Sequence, residues 1–293
     1  DFSNCENKEQ FLEQYDFLIA EMARVTKPGR ITAVHCTDVF DNACRLWDFP
    51  HEIIRIHEKY GFQYRNRTTG WKEPLKVRMR TMVKSLMHKL IVEDSTQCFT
   101  AMPDYVLILT KKGDNEVPVT HPCGLKKYFG ETPILPNILQ AWNNANDSKL
   151  TADMLWETLN TMYQDHNDPK SSKLSHYIWQ RYASSVWDDI RIDNVLPFRD
   201  SREEDDEKHV HPLQLDVIDR LVEMYSNPGE VVLTPFRGVG SEVYSPVSLG
   251  RKAIGIELKD SYFKQASINL EYAATRYEEE QTQADIFGIE ATP

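Results

Sequence analysis

The chain is 293 residues long, 41% hydrophobic and 27% charged, with a formal net charge of −11. That composition supports one large domain, or a core with an inserted subdomain, and excludes disordered, collagenous and coiled-coil classes. The acidic total speaks against coating nucleic acid through a global field, and no run approaches the ~18 apolar residues of a membrane span.

The first residue is Asp1, not Met, and no basic segment followed by an apolar stretch comes behind it. No signal peptide is therefore expected, and the true N-terminus is expected further upstream. From Lys8 to Val25, apolar Phe11, Leu12, Tyr15, Leu18, Ile19, Met22 and Val25 recur at helical spacing and predict an amphipathic helix. Lys27-Pro28-Gly29-Arg30 breaks it, and Ile31 to Val34 begins a strand. A helix over Glu52 to Lys59 ends at Gly61, and Asp104 to Thr110 is a second strand. Between Pro122 and about residue 175 the character changes, with Asn143, Asn144, Asn146, Asp147, Asn160, His166, Asn167 and Asp168 crowding polar turns; this reads as an insertion. The α/β pattern then resumes: a helix from Leu213 to Tyr225, the turn Asn227-Pro228-Gly229 and a strand from Val231 to Leu233. A helix from Ser241 to Ser248, a strand from Ala253 to Ile256 and a charged helix from Asp260 to about Glu280 complete the chain. Helices alternating with short, nearly continuous apolar strands predict an α/β layered fold with a largely parallel sheet.

Five cysteines (Cys5, Cys36, Cys44, Cys98, Cys123) include no CxxC pair. Neither a disulfide framework nor a metal site is expected, and a reducing cytoplasm suits the chain. Charge is unevenly spread. Arg65, Arg67, Lys72, Lys76, Arg78, Arg80, Lys84 and Lys89 face one acid, Glu73, within 25 residues, whereas Glu203 to Glu207 form an unbroken acidic run.

The stretch Glu230 to Glu242, continued from Lys252 to Leu258, carries the chemistry. A strand running into Gly238-Val239-Gly240 and then a helix puts open backbone and a helix N-terminus at the carboxyl end of a sheet strand. In doubly wound folds, nucleotide-like ligands bind there. Glu257, nineteen residues beyond Gly238, stands at the end of the next strand, where a carboxylate can accept hydrogen bonds from both ribose hydroxyls. A dinucleotide is disfavoured, because the third glycine of GxGxxG is replaced by Val243 and the loop begins with the rigid Pro235. A ligand with adenosine but no phosphates is implied.

These residues resemble the β-group amino-DNA methyltransferases, in which the S-adenosylmethionine motif lies downstream of the catalytic motif. Their His-Pro-x-Gln, Asn-Pro-Gly-Asp, Asp-Pro-Phe-x-Gly-x-Gly and Gly-Ile-Glu-x-x-x-x-Tyr patterns appear in order. Here they read His211-Pro212-Leu213-Gln214, Asn227-Pro228-Gly229-Glu230, Thr234-Pro235-Phe236-Arg237-Gly238-Val239-Gly240 and Gly255-Ile256-Glu257 with Tyr262. Val186-Trp187-Asp188 and the Val25 to Arg30 turn fit as well. The look is most like that of phage-borne DNA methylases, where Ser or Thr replaces the acid before Pro-Phe. The resemblance implies a doubly wound, mostly parallel methyltransferase sheet. Residues 1–121 would form its catalytic-side half, 122–177 an inserted, mainly helical target-recognition region, and 178–293 the cofactor half. His211, Pro212, Leu213 and Gln214 would close over the methionine end of the cofactor. Thr234, Pro235, Phe236, Gly238, Gly240 and Ser241 would line its methionine and ribose, and Glu257 with Leu258 would hold the ribose. Thr234 stands where the common pattern has Asp; a charge that could face the methionine ammonium is lost, though a hydroxyl can still bond a bridging water.

Catalysis in that family rests on an Asp/Ser/Asn-Pro-Pro-Tyr/Phe tetrapeptide that accepts hydrogen bonds from the target amine and stacks on a flipped base. The chain has no Pro-Pro dipeptide; the tetrapeptide is expected upstream of Asp1 and the catalytic residues are unassigned. The resemblance implies transfer from S-adenosylmethionine to adenine N6, or to cytosine N4, in double-stranded DNA inside a bacterial or phage-infected cytoplasm. A homodimer is compatible with the sequence. The basic stretch from Arg65 to Lys89 would contact phosphates without reading sequence. Two rivals stand beside this reading. A nicotinamide-dependent oxidoreductase is opposed by Val243 and by the lack of a Tyr/Lys or His catalytic set. A non-catalytic DNA-binding decoy on the same fold would lack the tetrapeptide altogether. His35 with Cys36 reads as a satisfied strand-end pair rather than a nucleophile and base. His209, His211 and Glu207 do not make a metal site, the acidic run reads as a solvated loop, and Tyr262 and Phe263 read as the core face of the last helix.

Overall fold

A computed structural model describes residues 5–40, 45–81, 84–122, 124–131, 140, 143–145, 149, 151, 154, 173–198 and 212–286. The chain divides into two compact units, Asp1–Pro118 with Ser185–Asp188, and Val119–Ser184 with Asp189–Pro293.

In the first unit, α1 (Lys8–Val25) opens on Asn7, whose side chain accepts a hydrogen bond from the Gln10 N–H, and buries Tyr15, Ile19 and Ala23, four residues apart. The strands are β1 (Ile31–Cys36), the short pair β2 (Val39–Phe40) and β3 (Leu46–Trp47), β4 (Phe62–Gly70), β5 (Asp104–Lys111) and β6 (Val186–Trp187). Helix α2 (Phe49–Lys59) begins three residues before the predicted start, because Asp48 caps it and Pro50 sits in its first turn. Helices α3 (Pro74–Thr81) and α4 (His88–Glu93) lie in the connection from β4 to β5. The four-stranded sheet has the order β1-β5-β4-β6. Strand β5 runs antiparallel to both neighbours, and β4 pairs with β6 in parallel. Val106 to Leu109 are buried without a break, and the core gathers Tyr15, Ile19, Ile53, Ile56, Phe62, Leu107 and Leu109. Each large side chain so buried contributes about 1.5–3 kcal/mol. A continuous apolar run shows that both faces of a strand are covered; it does not report the direction of the neighbouring strands.

In the second unit, α5 (Lys173–Tyr182) packs Ile178 and Tyr182 against Leu125 and Phe129. Then come α6 (Leu215–Tyr225), β7 (Val231–Thr234), α7 (Ser241–Ser248), β8 (Lys252–Gly255) and α8 (Asp260–Ile286). Strands β7 and β8 are parallel, in register from Val231 opposite Lys252 to Thr234 opposite Gly255, which makes β7-α7-β8 a crossover unit. The turn before β7 uses Gly229 at φ +76, and its amide donates to the Gly250 carbonyl. Asp216 on α6 is fully buried and accepts from the Arg191 backbone N–H, the Arg191 guanidinium and the Asn194 amide, fixing the segment before α6. Arg220 is also fully buried, donating from Nε to the Phe129 carbonyl and pairing with Asp189 at 2.9 Å.

Most of the predicted 122–177 insertion, with Asn146, Asp147, Asn160, His166, Asn167 and Asp168, lies outside the described residues, as do Cys44, Cys123, the acidic run, His209 and His211.

Candidate functional site

The site forms where β7 turns into α7. Thr234 ends β7, and its hydroxyl accepts the Phe236 N–H at 3.2 Å, a local bond that starts the loop. The Arg237 N–H then donates to the Ile256 carbonyl, and the Ile256 N–H to the Thr234 carbonyl, so the loop is tied to the residue following β8. Asn269 on α8, buried, donates from its amide to the Val239 carbonyl at 2.8 Å. The loop is thus held from both sides by backbone and by one buried amide.

Its glycines have different causes. Gly238 has φ +52 and nothing within 4 Å of a built Cβ, so its backbone is open to a ligand. Gly240 has φ +103, and a Cβ there would come 3.1 Å from that of Ala266, a fully buried residue of α8. Gly255 in β8 passes beneath the Arg237 stem, where a Cβ would meet Cδ at 2.5 Å. Val243, 2% exposed, fills the space between α7 and β8 that a third loop glycine would leave open.

An open cleft with about 520 Å³ of empty space is lined by Pro212, Leu213, Phe236, Gly238 and Ser241, together with Phe198, Arg237, Val239, Glu242 and Tyr262. Its volume falls in the range of small-molecule sites. The first five were predicted from the sequence; the last five were not assigned to the cofactor. Thr234, Pro235 and Gly240 belong to the same loop, Gln214 is the N-cap of α6, and Glu257 with Leu258 follows β8 beside the Arg237 contact. Glu257 accepts the Lys259 N–H on one carboxylate oxygen. Tyr262 lines the cleft, with the Lys259 ammonium 4.7 Å above its ring, and Phe263 is half exposed. The reading of this pair as core is therefore corrected: Phe263 serves as a platform for the Arg237 guanidinium, 4.2 Å from its ring.

Two polar groups in the cleft have little to bind within the protein. Ser241 is 2% exposed, and its hydroxyl has no hydrogen-bond partner among the described residues. Glu242, in the first turn of α7, forms no ion pair among them, and burial pushes its carboxyl up to about 7. An orphaned hydroxyl, a bare glycine and a helix N-terminus around one cleft suit an adenosine-type ligand with a polar tail. They do not suit a pyrophosphate, for which the loop lacks the third glycine.

In the first unit the basic stretch divides. Arg65 donates to the Thr110 hydroxyl, Arg67 stacks on Tyr105 at 4.8 Å, and Lys72 pairs with Asp104. Lys76 and Lys84 are exposed, Arg78 is half-buried, and Lys89 is paired with Glu93 one helical turn away. The Arg80 side chain lies outside the described residues. His35 pairs with Asp104 at 3.2 Å, and burial drives the Cys36 thiol up to about 12, so the two do not form a nucleophile and base.

Comparison with known proteins gives a consistent picture. The profile of the N6/N4 DNA methylases, described as DNA methylase, matches residues 1–267. The DNA adenine methyltransferase YhdJ of Escherichia coli K12 is 32% identical over 100 residues, 33% of this chain and 31% of that protein. The type II methyltransferase M.BamHI of Bacillus amyloliquefaciens is 34% identical over 96 residues, 33% of this chain and 19% of that protein. The matches thus span about a third or less of these curated relatives. The DNA modification methylase TTHA0409 of Thermus thermophilus superposes over 93% of this chain and 83% of its own, with a TM-score of 0.56 and 20% identity, which shows a shared fold.

Proposed function

The chain belongs to the N6/N4 DNA methylase family, and from that premise we propose that it transfers a methyl group from S-adenosylmethionine to an exocyclic amine of a flipped DNA base. Adenine N6 is favoured over cytosine N4, in keeping with the adenine methyltransferase among its relatives. The observation that carries the cofactor half of the reading is the β7-α7 loop. Gly238 bares backbone in the left-handed region, the Ser241 hydroxyl beside it lacks a partner, and Val243 blocks the closer helix-strand approach of a dinucleotide site. TTHA0409, which shares the fold, has been solved in complex with S-adenosylmethionine. When bound, that cofactor supplies an electrophilic methyl on a sulfonium. Pro212, Leu213, Phe236, Gly238 and Ser241 would hold its methionine end, and Glu257 with Leu258 the ribose; His211, outside the described residues, joins them in this reading.

Double-stranded DNA would meet the first unit through Lys76, Arg78, Lys84 and Lys89, while Arg65, Arg67 and Lys72 brace β4 and β5. The acceptors for the target amine are assigned to a Pro-Pro tetrapeptide on sequence preceding Asp1, and target recognition to residues 122–177. A cytoplasmic location goes with this reading; no described helix is long and apolar enough to cross a membrane.

The test is incubation of the full gene product with methyl-tritiated S-adenosylmethionine and unmethylated duplex DNA, followed by nucleoside analysis. Label in N6-methyladenosine supports the reading, label in N4-methylcytidine moves the target base, and cofactor binding without label supports the decoy.

A further inference from the structure

Among the ten residues lining the cleft, Glu242 is the one carboxylate and Arg237 the one full cation. The Arg237 guanidinium is turned away from Glu242. It stacks on Phe263, donates to the Phe263 carbonyl at 3.3 Å, and its charge is felt by Glu257. Glu242 forms no ion pair among the described residues, and the one hydrogen bond its carboxyl makes there is to its own backbone N–H. A carboxylate drawn out of water in this way is a cost to the empty protein unless something positively charged completes it. The neighbouring position that could have shared the work is neutral: the hydroxyl of Thr234 is already bonded to the Phe236 amide. Pro212 and Leu213, proposed to cover the methionine end, share the cleft with Glu242, whereas Glu257 and Leu258, proposed at the ribose, do not line it.

We propose that the Glu242 carboxylate receives the α-ammonium of the cofactor's methionine moiety, replacing the negative charge that Thr234 does not supply. The inference rests on the S-adenosylmethionine reading above and adds a residue to it. Glu242 is a binding residue in this account and takes no part in methyl transfer. Its low-polarity surroundings strengthen the pairing, because an ammonium that fills the cleft displaces the water that would otherwise screen it.

The test compares the wild-type full chain with Glu242→Gln, an isosteric change, by calorimetric titration with three ligands. S-adenosylmethionine and S-adenosylhomocysteine both carry the ammonium; methylthioadenosine lacks it. The expected result is about tenfold weaker binding of the first two and unchanged binding of methylthioadenosine, as for loss of one charge-assisted hydrogen bond. The ligand-free melting temperature of Glu242→Gln should equal or exceed that of the wild type, since an uncompensated carboxylate has been removed. Loss for S-adenosylmethionine alone would place Glu242 at the sulfonium and overturn the assignment. Equal loss for all three ligands, or a lowered ligand-free melting temperature, would reduce Glu242 to a structural role. Wild-type protein that binds methylthioadenosine but neither of the others would overturn the inference while leaving an adenosine site. Wild-type protein that binds none would overturn the cofactor reading itself.

Discussion

Gly255→Ala isolates the contact on which the loop geometry depends. The added Cβ would lie 2.5 Å from Arg237 Cδ, 2.7 Å from Arg237 Cγ and 2.8 Å from Val243 Cγ1. None of these atoms is the free end of a side chain. Val243 is 2% exposed, and Arg237 is pinned by its backbone bond to the Ile256 carbonyl and by its stacking on Phe263. Relief therefore requires a shift of loop or helix, and overpacking of this kind costs about 1–3 kcal/mol. At roughly 2–4 °C per kcal/mol for a protein of this size, a cost of about 2 kcal/mol lowers the melting temperature by about 4–8 °C. Gly238→Ala provides the contrast. It meets nothing within 4 Å but has φ +52, so it bears only the left-handed penalty of about 1–2 kcal/mol. Differential scanning calorimetry on both variants, with cofactor titration, reads the two effects. Gly255→Ala should be the more destabilised, and Gly238→Ala should lose cofactor affinity out of proportion to its stability. A Gly255→Ala protein as stable as the wild type, or more stable than Gly238→Ala, would refute the steric reasoning.

Further outcomes follow from the same structure. Asp216→Ala removes the acceptor of Arg191 and Asn194 from a fully buried site and should cost about 3 kcal/mol in urea denaturation; a loss under about 1 kcal/mol would show that the segment before α6 is held by other means. Burial alone would raise the Asp104 carboxyl, but bonds and charge from His35 and Lys72 outweigh it and hold it below the usual range. Its contribution is therefore present above the unfolded carboxylate value, near pH 4, and is lost as pH falls through the lowered folded value. Lys72→Met should then destabilise by about 1 kcal/mol at pH 7, with the difference shrinking toward pH 3; a pH-independent difference would contradict this. In DNA binding, Lys76→Ala and Lys84→Ala should each flatten the log–log salt dependence by about 0.9. Arg65→Ala, which removes a side chain bonded to Thr110, should leave that slope unchanged.

The legible parts of the chain are those where one physical demand dominates. Helix α1 was readable because Tyr15, Ile19 and Ala23 repeat every four residues on a single buried face, and β5 because four consecutive residues are covered on both sides. Strand β4 escaped notice: Gln63 to Arg67 are exposed and polar, and the strand is held by its ladder to β5 rather than by a buried face. The antiparallel placement of β5 was equally invisible, since burial carries no record of strand direction. At the site, the glycines and the His-Pro motif stand out by residue type, whereas Phe198 is brought in from a distant segment that carries no local pattern. Glu242 was quoted only as the end of a motif; its first-turn position reads as ordinary helix electrostatics until the cleft shows it lacking an ionic partner.

The central claim is that the β7-α7 loop binds S-adenosylmethionine. Calorimetric titration of the full chain with S-adenosylmethionine and, separately, with NAD tests it most directly. The account predicts saturable binding of one S-adenosylmethionine per chain, competed by S-adenosylhomocysteine and weakened by Gly238→Ala, with no heat from NAD. Saturable binding of NAD with none of S-adenosylmethionine would contradict it.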